Sequence, residues 1–353
     1  MIDWQEIRNR YPLVNSCAYL DNARTGAISI GTANKWKEYI HDQLENGALH
    51  RDQWLATVEK TRNLVSDLLK GQSESIGFIT DVYSGIGFIS LSLKKLKKVV
   101  LVDHDFPSLI QPWVRNGYEL IWIPREDDLT IDLNKIEVAL KSGGEILAVS
   151  WVQYSSGYRF ELDRLGLLCK KYNAKLIIDG TQGFGALPLD LQNLEVDAFV
   201  ASGFKWMTAG FGVGIAYLSP EFRALLGPDD KNTSGILEHS HPKFQSILGL
   251  ENALAELKEI GLENIQTRTA LLSNYLQNEL LKTGAETLSN FSVGNSSPIR
   301  LVPGNQASFE RLSKVNIRVT FRDDYLRMAP YFYNSEADID QLIHFVSNNL
   351  RTT

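Results

Sequence analysis

Short apolar runs alternate with helix-like patterns between about residue 54 and residue 220. Seven runs resemble strands, and they lie at residues 76–80, 99–102, 120–123, 146–152, 175–179, 198–201 and 214–218. Most of them are apolar throughout, which is typical of strands that are covered on both faces. Between several of them apolar positions recur at helical spacing, as in residues 162–172. Strands that alternate with helices predict an α/β fold with a mainly parallel sheet and right-handed crossovers.

A helix is predicted before the first of these strands, with Asp52 as its N-terminal cap and Gly71 at its end. Its apolar positions recur at helical spacing and are Leu55, Val58, Leu64, Val65, Leu68 and Leu69.

The pattern changes after about residue 245. Residues 246–261 and 263–284 predict two long helices, and shorter strand-like pieces follow at 299–301 and 317–320. Ser335, with Asp338 three residues later, predicts a capping box at the start of a final helix that ends near Leu350. We therefore expect a large α/β domain over residues 16–245 and a small α+β domain over residues 1–15 and 246–353.

Composition excludes several classes of protein. The chain has 353 residues, of which 44% are hydrophobic and 22% are charged, so a folded globular protein is expected. No apolar run approaches the roughly 18 residues of a membrane helix, and the acidic start lacks the apolar core of a secretory signal. The net charge of -6 argues against nucleic acid as a partner. Two cysteines, Cys17 and Cys169, fit a reducing cytoplasm and exclude a cysteine-rich metal site.

Three segments place polar residues where an apolar strand ends. In LIIDGTQGFG, Asp179 closes a strand, although a lone aspartate there is more often a turn residue. In VASGFKWM, Lys205 lies among aromatic residues, which indicates either a buried lysine or one that reaches the surface along its own stem. In FITDVYSGIG, Ser84 and nearby glycines precede a helical pattern, an arrangement able to hold a phosphate but weak as a signal alone.

Together the three segments indicate pyridoxal phosphate (PLP). A lysine in an apolar pocket has a lowered pKa and can form a Schiff base with a carbonyl. A carboxylate can pair with a protonated pyridine nitrogen, and backbone amides can hold the phosphate at the other end of the cofactor. A metal site at His104 and Asp105 is not expected, because no further ligand is suitably spaced.

The chain resembles the aminotransferase class V family of fold-type I PLP enzymes, which includes cysteine desulfurases, selenocysteine lyases and isopenicillin-N-epimerase-like proteins. The resemblance extends from YLDNARTG at residues 19–26 to LRMAPYFYNSEADID at residues 326–340, and IIDGTQGFGALPLDL…VDAFVASGFKWM is its most specific part. It implies the PLP-dependent transferase fold, a seven-stranded type of sheet and a homodimer.

The resemblance also assigns site residues. Lys205 matches the lysine that carries the cofactor as an internal aldimine, and Asp179 matches the carboxylate on the pyridine nitrogen. Arg327 matches the arginine that binds the substrate's α-carboxylate, and Arg24, where relatives often have alanine, is assigned either to a second anionic group or to a structural salt bridge. The other implied cofactor contacts are Gln182 to the phenolate oxygen, Ser202, Tyr83 and Ser84 to the phosphate, Phe106 stacked on the ring, and His241 reaching the neighbouring subunit's phosphate.

Departures from the family limit the choice of reaction. Desulfurases need a nucleophilic cysteine shortly before the carboxylate arginine, and here VTFRDDYLR has none. Phe204 and Phe106 replace histidines of relatives, and Trp151 and Phe204 are equally compatible with simple packing. His241 is more often a surface histidine than a ligand.

The expected function is a PLP enzyme that acts on the α-carbon of an amino acid or small amine, with aminotransferase chemistry favoured. The alternative is a desulfurase- or lyase-like or epimerase activity without a persulfide cysteine. A PLP-binding protein without turnover is a third reading, against which the retained Lys205, Asp179 and Arg327 argue.

Overall fold

The computed structural model describes residues 2–93, 95–227 and 231–349. The described residues form twelve strands: β1 Ala18–Tyr19, β2 Ile76–Ile79, β3 Lys98–Val102, β4 Glu119–Ile123, β5 Ile146–Ser150, β6 Lys175–Asp179, β7 Ala198–Ser202, β8 Gly214–Leu218, β9 Arg300–Pro303, β10 Ile317–Arg318, β11 Thr320–Arg322 and β12 Tyr325–Met328. The α-helices are α1 Trp4–Asn9, α2 Leu13–Ser16, α3 Ile30–Asn46, α4 Arg51–Leu69, α5 Val82–Ser92, α6 Pro107–Arg115, α7 Leu133–Lys141, α8 Leu162–Lys171, α9 Pro220–Leu226, α10 Thr233–Leu237, α11 Phe244–Ile260, α12 Leu262–Lys282, α13 Gln306–Lys314 and α14 Glu336–Asn349. Each helix in these ranges is too short or too polar to cross a membrane.

The main sheet contains all seven predicted strands in the order β2-β8-β7-β6-β5-β3-β4. Strands β3 to β7 pair in parallel, whereas β8 runs antiparallel to both β2 and β7. Successive residues of a strand enter opposite cores, as Val100 and Val102 lie in one apolar cluster and Val99 and Leu101 in another. Burial of both faces explains the continuous apolar runs and confirms the predicted α/β fold.

A third apolar cluster lies in the C-terminal part of the chain. It joins β1 and β10 to helices α12 and α14 through side chains that include Leu276, Ile317 and Ile339. The cluster also includes Ala18 and Leu20, which the predicted boundaries place in the large domain, so the domain boundaries stay a prediction.

Two local expectations need correction, and a third is met in part. Asp52 is the second residue of α4 and not its cap, since His50 holds the cap position. The run 317–320 divides between two sheets, because β10 pairs with β1 whereas β11 pairs with β12. At α14 the Asp338 carboxylate accepts the Ser335 N–H at 2.9 Å, one of the two bonds of the predicted capping box, and Leu350 lies outside the described residues.

Candidate active site

Lys205 lies just beyond the carboxyl end of β7 and is buried, with 6% of its surface exposed. Its Nζ lies 5.1 Å from the centre of the Phe106 ring and 5.4 Å from that of Phe204. Within the described ranges no hydrogen bond or ion pair of this nitrogen is found. Burial, and then the positive charge of Arg327, lower the pKa of Lys205 to about 7. The structure therefore holds a buried, reactive amine and excludes a lysine that reaches the surface.

Asp179 ends β6, the strand beside β7, and is 4% exposed. Its Oδ1 accepts the Thr181 N–H at 2.9 Å, which is the turn contact expected of a lone aspartate. The Thr181 side chain also hydrogen-bonds this carboxylate, and a carboxylate can accept a further bond, for example from a pyridine N–H. Burial raises the pKa of Asp179 to about 6, so the carboxylate remains mostly ionised at pH 7.

Asp105 is a buried carboxylate that the sequence interpretation considered only as a metal ligand. It accepts hydrogen bonds from the Ser150 N–H and Oγ (2.9 and 2.6 Å), from Gln153 Nε2 (3.0 Å) and from the Phe106 N–H (2.6 Å). These bonds fix Phe106 opposite Lys205. The pairing spans about 45 residues of sequence, so a local pattern gives no sign of it.

The N-terminus of α5 is the predicted phosphate end of the site. Ser202 Oγ accepts the Val82 N–H at 3.3 Å, and the Tyr83 N–H has no intrahelical acceptor because it lies in the first turn. However, Asp81 Oδ1 accepts the Ser84 N–H at 2.8 Å, and the Ser84 hydroxyl accepts the Asp81 N–H. These two bonds form a capping box. The Ser84 contacts are therefore already used within the protein, and the D-x-x-S spacing in the sequence was the missed signal.

The Tyr83 side chain lies on the protein surface, away from this helix end. Its hydroxyl accepts a hydrogen bond from Arg115 at 2.8 Å, and the Arg115 guanidinium lies over its ring. Of the groups of Tyr83, the backbone N–H is the one that remains a candidate phosphate donor.

Gln182 bridges two segments that surround the lysine. Its Nε2 donates to the Ala23 carbonyl at 2.9 Å, and its Oε1 accepts the Trp206 indole N–H at 2.8 Å. One amide hydrogen stays free for the predicted phenolate contact.

Arg327 lies on β12, is buried, and faces the loop after β5. Its guanidinium donates to the Tyr154 carbonyl at 2.6 Å and lies 3.8 Å from Asp21 Oδ1. Its Nε is buried and has no hydrogen-bond partner among the described residues. Burial lowers the pKa of Arg327, and an incompletely paired buried guanidinium indicates an anion site.

The two remaining predicted residues are exposed. For the Arg24 guanidinium no ion pair or hydrogen bond occurs among the residues described, although its positive charge acts on Asp21, so neither alternative for Arg24 is decided. His241 Nδ1 lies 3.5 Å from Arg51, and its contact with the neighbouring subunit's phosphate stays a prediction. Trp151 packs against Phe199 and Phe204 stacks on Phe211, as the packing interpretation expects.

The backbone around Lys205 is fixed by two close contacts. The Gly26 N–H donates to the Phe204 carbonyl at 2.8 Å, and a Cβ at Gly26 would lie 2.0 Å from the Lys205 carbonyl oxygen. The buried Tyr331 hydroxyl lies 2.7 Å from both the Gly185 and Trp206 carbonyl oxygens. Glycine in the segment 19–26 is therefore required by close packing.

Neither cysteine has the lowered pKa that a nucleophilic thiol needs. Cys169 is buried in α8, and burial raises its pKa to about 12. Cys17 ends α2, and burial raises its pKa as well. Elsewhere in the ranges described, no group of three His, Cys, Asp or Glu side chains is arranged to hold a metal ion.

These residues fit PLP. The Nζ of Lys205, which has no partner among the described residues, matches the carbonyl of the cofactor, and the Asp179 carboxylate matches its pyridine nitrogen. The Phe106 ring matches its ring face, and the Ser202 hydroxyl with the Tyr83 N–H matches its phosphate. Fold and site thus define the class of PLP-dependent enzymes with the transferase fold.

Comparison with known proteins gives the family. The family model Aminotransferase class-V matches residues 18–302. A probable cysteine desulfurase of Pyrococcus abyssi is 24% identical over 74% of this chain and 72% of its own length. The apo structure of a cysteine desulfurase from Thermococcus onnurineus NA1 superposes with a TM-score of 0.90, at 19% identity, over 100% of this chain and 99% of that one.

A further solved structure is the cystine C–S lyase C-DES in complex with cysteine persulfide. It has a TM-score of 0.87 at 17% identity and covers 96% of this chain and 99% of its own. A mutant of C-DES was solved with glycine covalently linked to its PLP cofactor. The chain belongs to the class V aminotransferase family, and the predictions of this family, its fold and its cofactor are confirmed.

Proposed function

We propose that this protein acts on the α-carbon of an amino acid or small amine, with PLP attached to Lys205 and with transamination as its reaction. The observation that carries the proposal is the buried Lys205 amine, which has no partner among the described residues and a pKa lowered to about 7. When bound, PLP withdraws electrons from the α-carbon.

The chain's own residues have distinct parts in this proposal. Asp179 keeps the pyridine nitrogen protonated, Phe106 covers the ring, and Arg327 binds and orients the α-carboxylate. Once its amine is released, Lys205 is a base near the α-carbon, since a pKa near 7 allows it both to take and to return a proton.

The attachment site is tested by borohydride reduction of the purified protein followed by peptide mapping. We expect a pyridoxyl adduct on Lys205 and none in a Lys205→Ala variant. An adduct on another lysine overturns the assignment.

A lyase reaction is the second candidate, favoured by the absence of cysteine from VTFRDDYLR and by the likeness to a cystine C–S lyase. Desulfurase-like and epimerase-like reactions stay within this alternative. The test supplies single amino acids to the holoenzyme, with and without a keto acid. Turnover that requires the keto acid supports transamination, release of ammonia without it supports the lyase, and inversion of configuration alone supports the epimerase.

We also propose a homodimer in the cytoplasm. Large apolar side chains are exposed on α3, at Ile40 and Leu44, and beside the site at Phe211, which stacks on Phe204, and exposed apolar surface is where an interface would form. Equilibrium sedimentation is expected to give twice the mass of 39.7 kDa, and a monomer at all concentrations contradicts the proposal.

A further inference from the structure

A small cavity of about 30 Å³ lies beside Arg327. By volume it accommodates roughly two water-sized groups, the size of one carboxylate. Its charged lining comes from two separate parts of the chain, namely Arg125 after β4, and the β11–β12 hairpin with Arg322, Asp323 and Arg327.

Two of the three guanidinium groups at this cavity, those of Arg125 and Arg322, form no ion pair with the described residues. Arg125 donates to the Ser155 hydroxyl at 3.1 Å, and Arg322 lies 5.1 Å from the centre of the Tyr154 ring. Within the described part of the chain neither has a carboxylate within salt-bridge distance. Among the described residues, the one carboxylate within salt-bridge distance of Arg327 is that of Asp21, at 3.8 Å. The buried Nε of Arg327 has no hydrogen-bond partner among them. Three guanidinium groups around one small cavity repel one another unless an anion lies between them.

The cavity is also close to the reacting end of the site. The positive charge of Arg322 contributes to lowering the pKa of both Lys205 and Arg327. One planar guanidinium fork already matches both oxygens of a carboxylate. Arg327 therefore suffices for an α-carboxylate, and a neutral amino acid leaves Arg125 and Arg322 without a ligand.

We propose that Arg125 and Arg322 bind a second carboxylate on the substrate, so that the substrate is an amino dicarboxylate of the aspartate or glutamate type. This inference rests on the proposed function for the α-carboxylate site at Arg327. Asp323 lines the same cavity and opposes anion binding, so its carboxylate limits the affinity.

The probes are carboxylates that lack an amino group, because they report on the arginines without any chemistry at Lys205. Succinate and glutarate are titrated into the holoenzyme by calorimetry and are compared with butyrate. We expect the dicarboxylates to bind about 10-fold to 100-fold more tightly, the scale of one additional charge-assisted hydrogen-bonded pair. Equal binding of dicarboxylates and butyrate overturns the proposal.

Variants then locate the second carboxylate. Arg125→Gln and Arg322→Gln should each weaken succinate binding about 10-fold and leave butyrate unchanged, while Arg322→Lys should recover part of the loss. Asp323→Asn should tighten succinate binding, and it suits this position because Asp323 has φ 50 and asparagine tolerates that conformation. Arg318→Gln, an exposed change of equal charge outside the cavity, is the matched control.

Each other outcome contradicts the inference in a distinct way. Equal losses for succinate and butyrate in Arg322→Gln would mean that the arginines jointly bind one carboxylate. Loss of the dicarboxylate preference only in Arg24→Ala would move the second group to Arg24. Failure of the proposed function appears separately, as absence of the borohydride adduct on Lys205.

Discussion

The lowered pKa of Lys205 makes a quantitative prediction about how fast the protein captures its cofactor. Only the neutral amine attacks a carbonyl. With a pKa of about 7, roughly half of the Lys205 amines are neutral at pH 7, whereas a lysine at its ordinary value of 10.5 has about one neutral amine in 3,000. The capture rate should therefore rise from pH 5.5 to about pH 8 and be constant above it.

The assay adds PLP to cofactor-free protein in a series of buffers and follows the yellow absorbance of the attached cofactor. The rate is divided by that of a free lysine derivative in the same buffers, which removes the titration of PLP itself, and the Lys205→Ala variant corrects for other lysines. For a pKa near 7 the normalised rate should be constant below about pH 7 and fall about tenfold per pH unit above it, because only the reference amine continues to gain neutral form. A normalised rate that stays constant up to pH 10 would refute the reasoning, because it would show an unperturbed amine.

After burial, the positive charge of Arg327 is the largest contribution to the low pKa of Lys205. A substitution at Arg327 therefore tests the explanation of that low pKa. In Arg327→Gln the midpoint of the capture profile should move to higher pH, because a repulsive charge has been removed. An unchanged midpoint would mean that burial alone sets the pKa.

Three other outcomes follow from contacts in the site. Asp179→Ala should lose at least about 100-fold in turnover yet still bind PLP through Lys205 and the phosphate contacts, and near wild-type turnover would disprove its electrostatic role. The double variant Cys17→Ser, Cys169→Ser should retain the activity of the wild type in a steady-state assay, whereas loss of a sulfur-releasing activity would indicate a persulfide route. Tyr331→Phe should lower the free energy of unfolding in urea by about 1–3 kcal/mol, since a buried hydroxyl that serves two carbonyl oxygens is removed; an unchanged midpoint would show that those carbonyls find other donors.

The main sheet could be predicted from the sequence, and so could Asp179 and Lys205 at the ends of two of its strands, because each is recognisable from its neighbours along the chain. A strand buried on both faces must be continuously apolar, so a polar residue such as Asp179 or a lysine just after such a strand is conspicuous in the sequence. The same logic places Lys205 and Asp179 side by side, since β6 and β7 are parallel neighbours.

What the sequence could not predict depends on contacts between distant segments. Asp105 is recognisable as a structural carboxylate only when Ser150 and Gln153 lie beside it. Arg322 becomes part of a charged cavity only because the β11–β12 hairpin brings it to Arg125, almost 200 residues earlier in the chain. The split of residues 317–320 between two sheets likewise reflects pairing with β1 and β12, not a feature of that segment itself.

The capping box of Asp81 and Ser84 has a consequence for how the cofactor is retained. Because Asp81 already satisfies an N–H at the start of α5, this helix needs no anion to complete its first turn. Cofactor-free protein should therefore retain a formed α5, and removal of PLP should leave the far-ultraviolet circular dichroism unchanged. The incoming phosphate also meets the negative charge of Asp81 at the helix end, which opposes its binding. We therefore expect the covalent bond to Lys205 to contribute more than the phosphate contacts to the residence time of PLP on this protein.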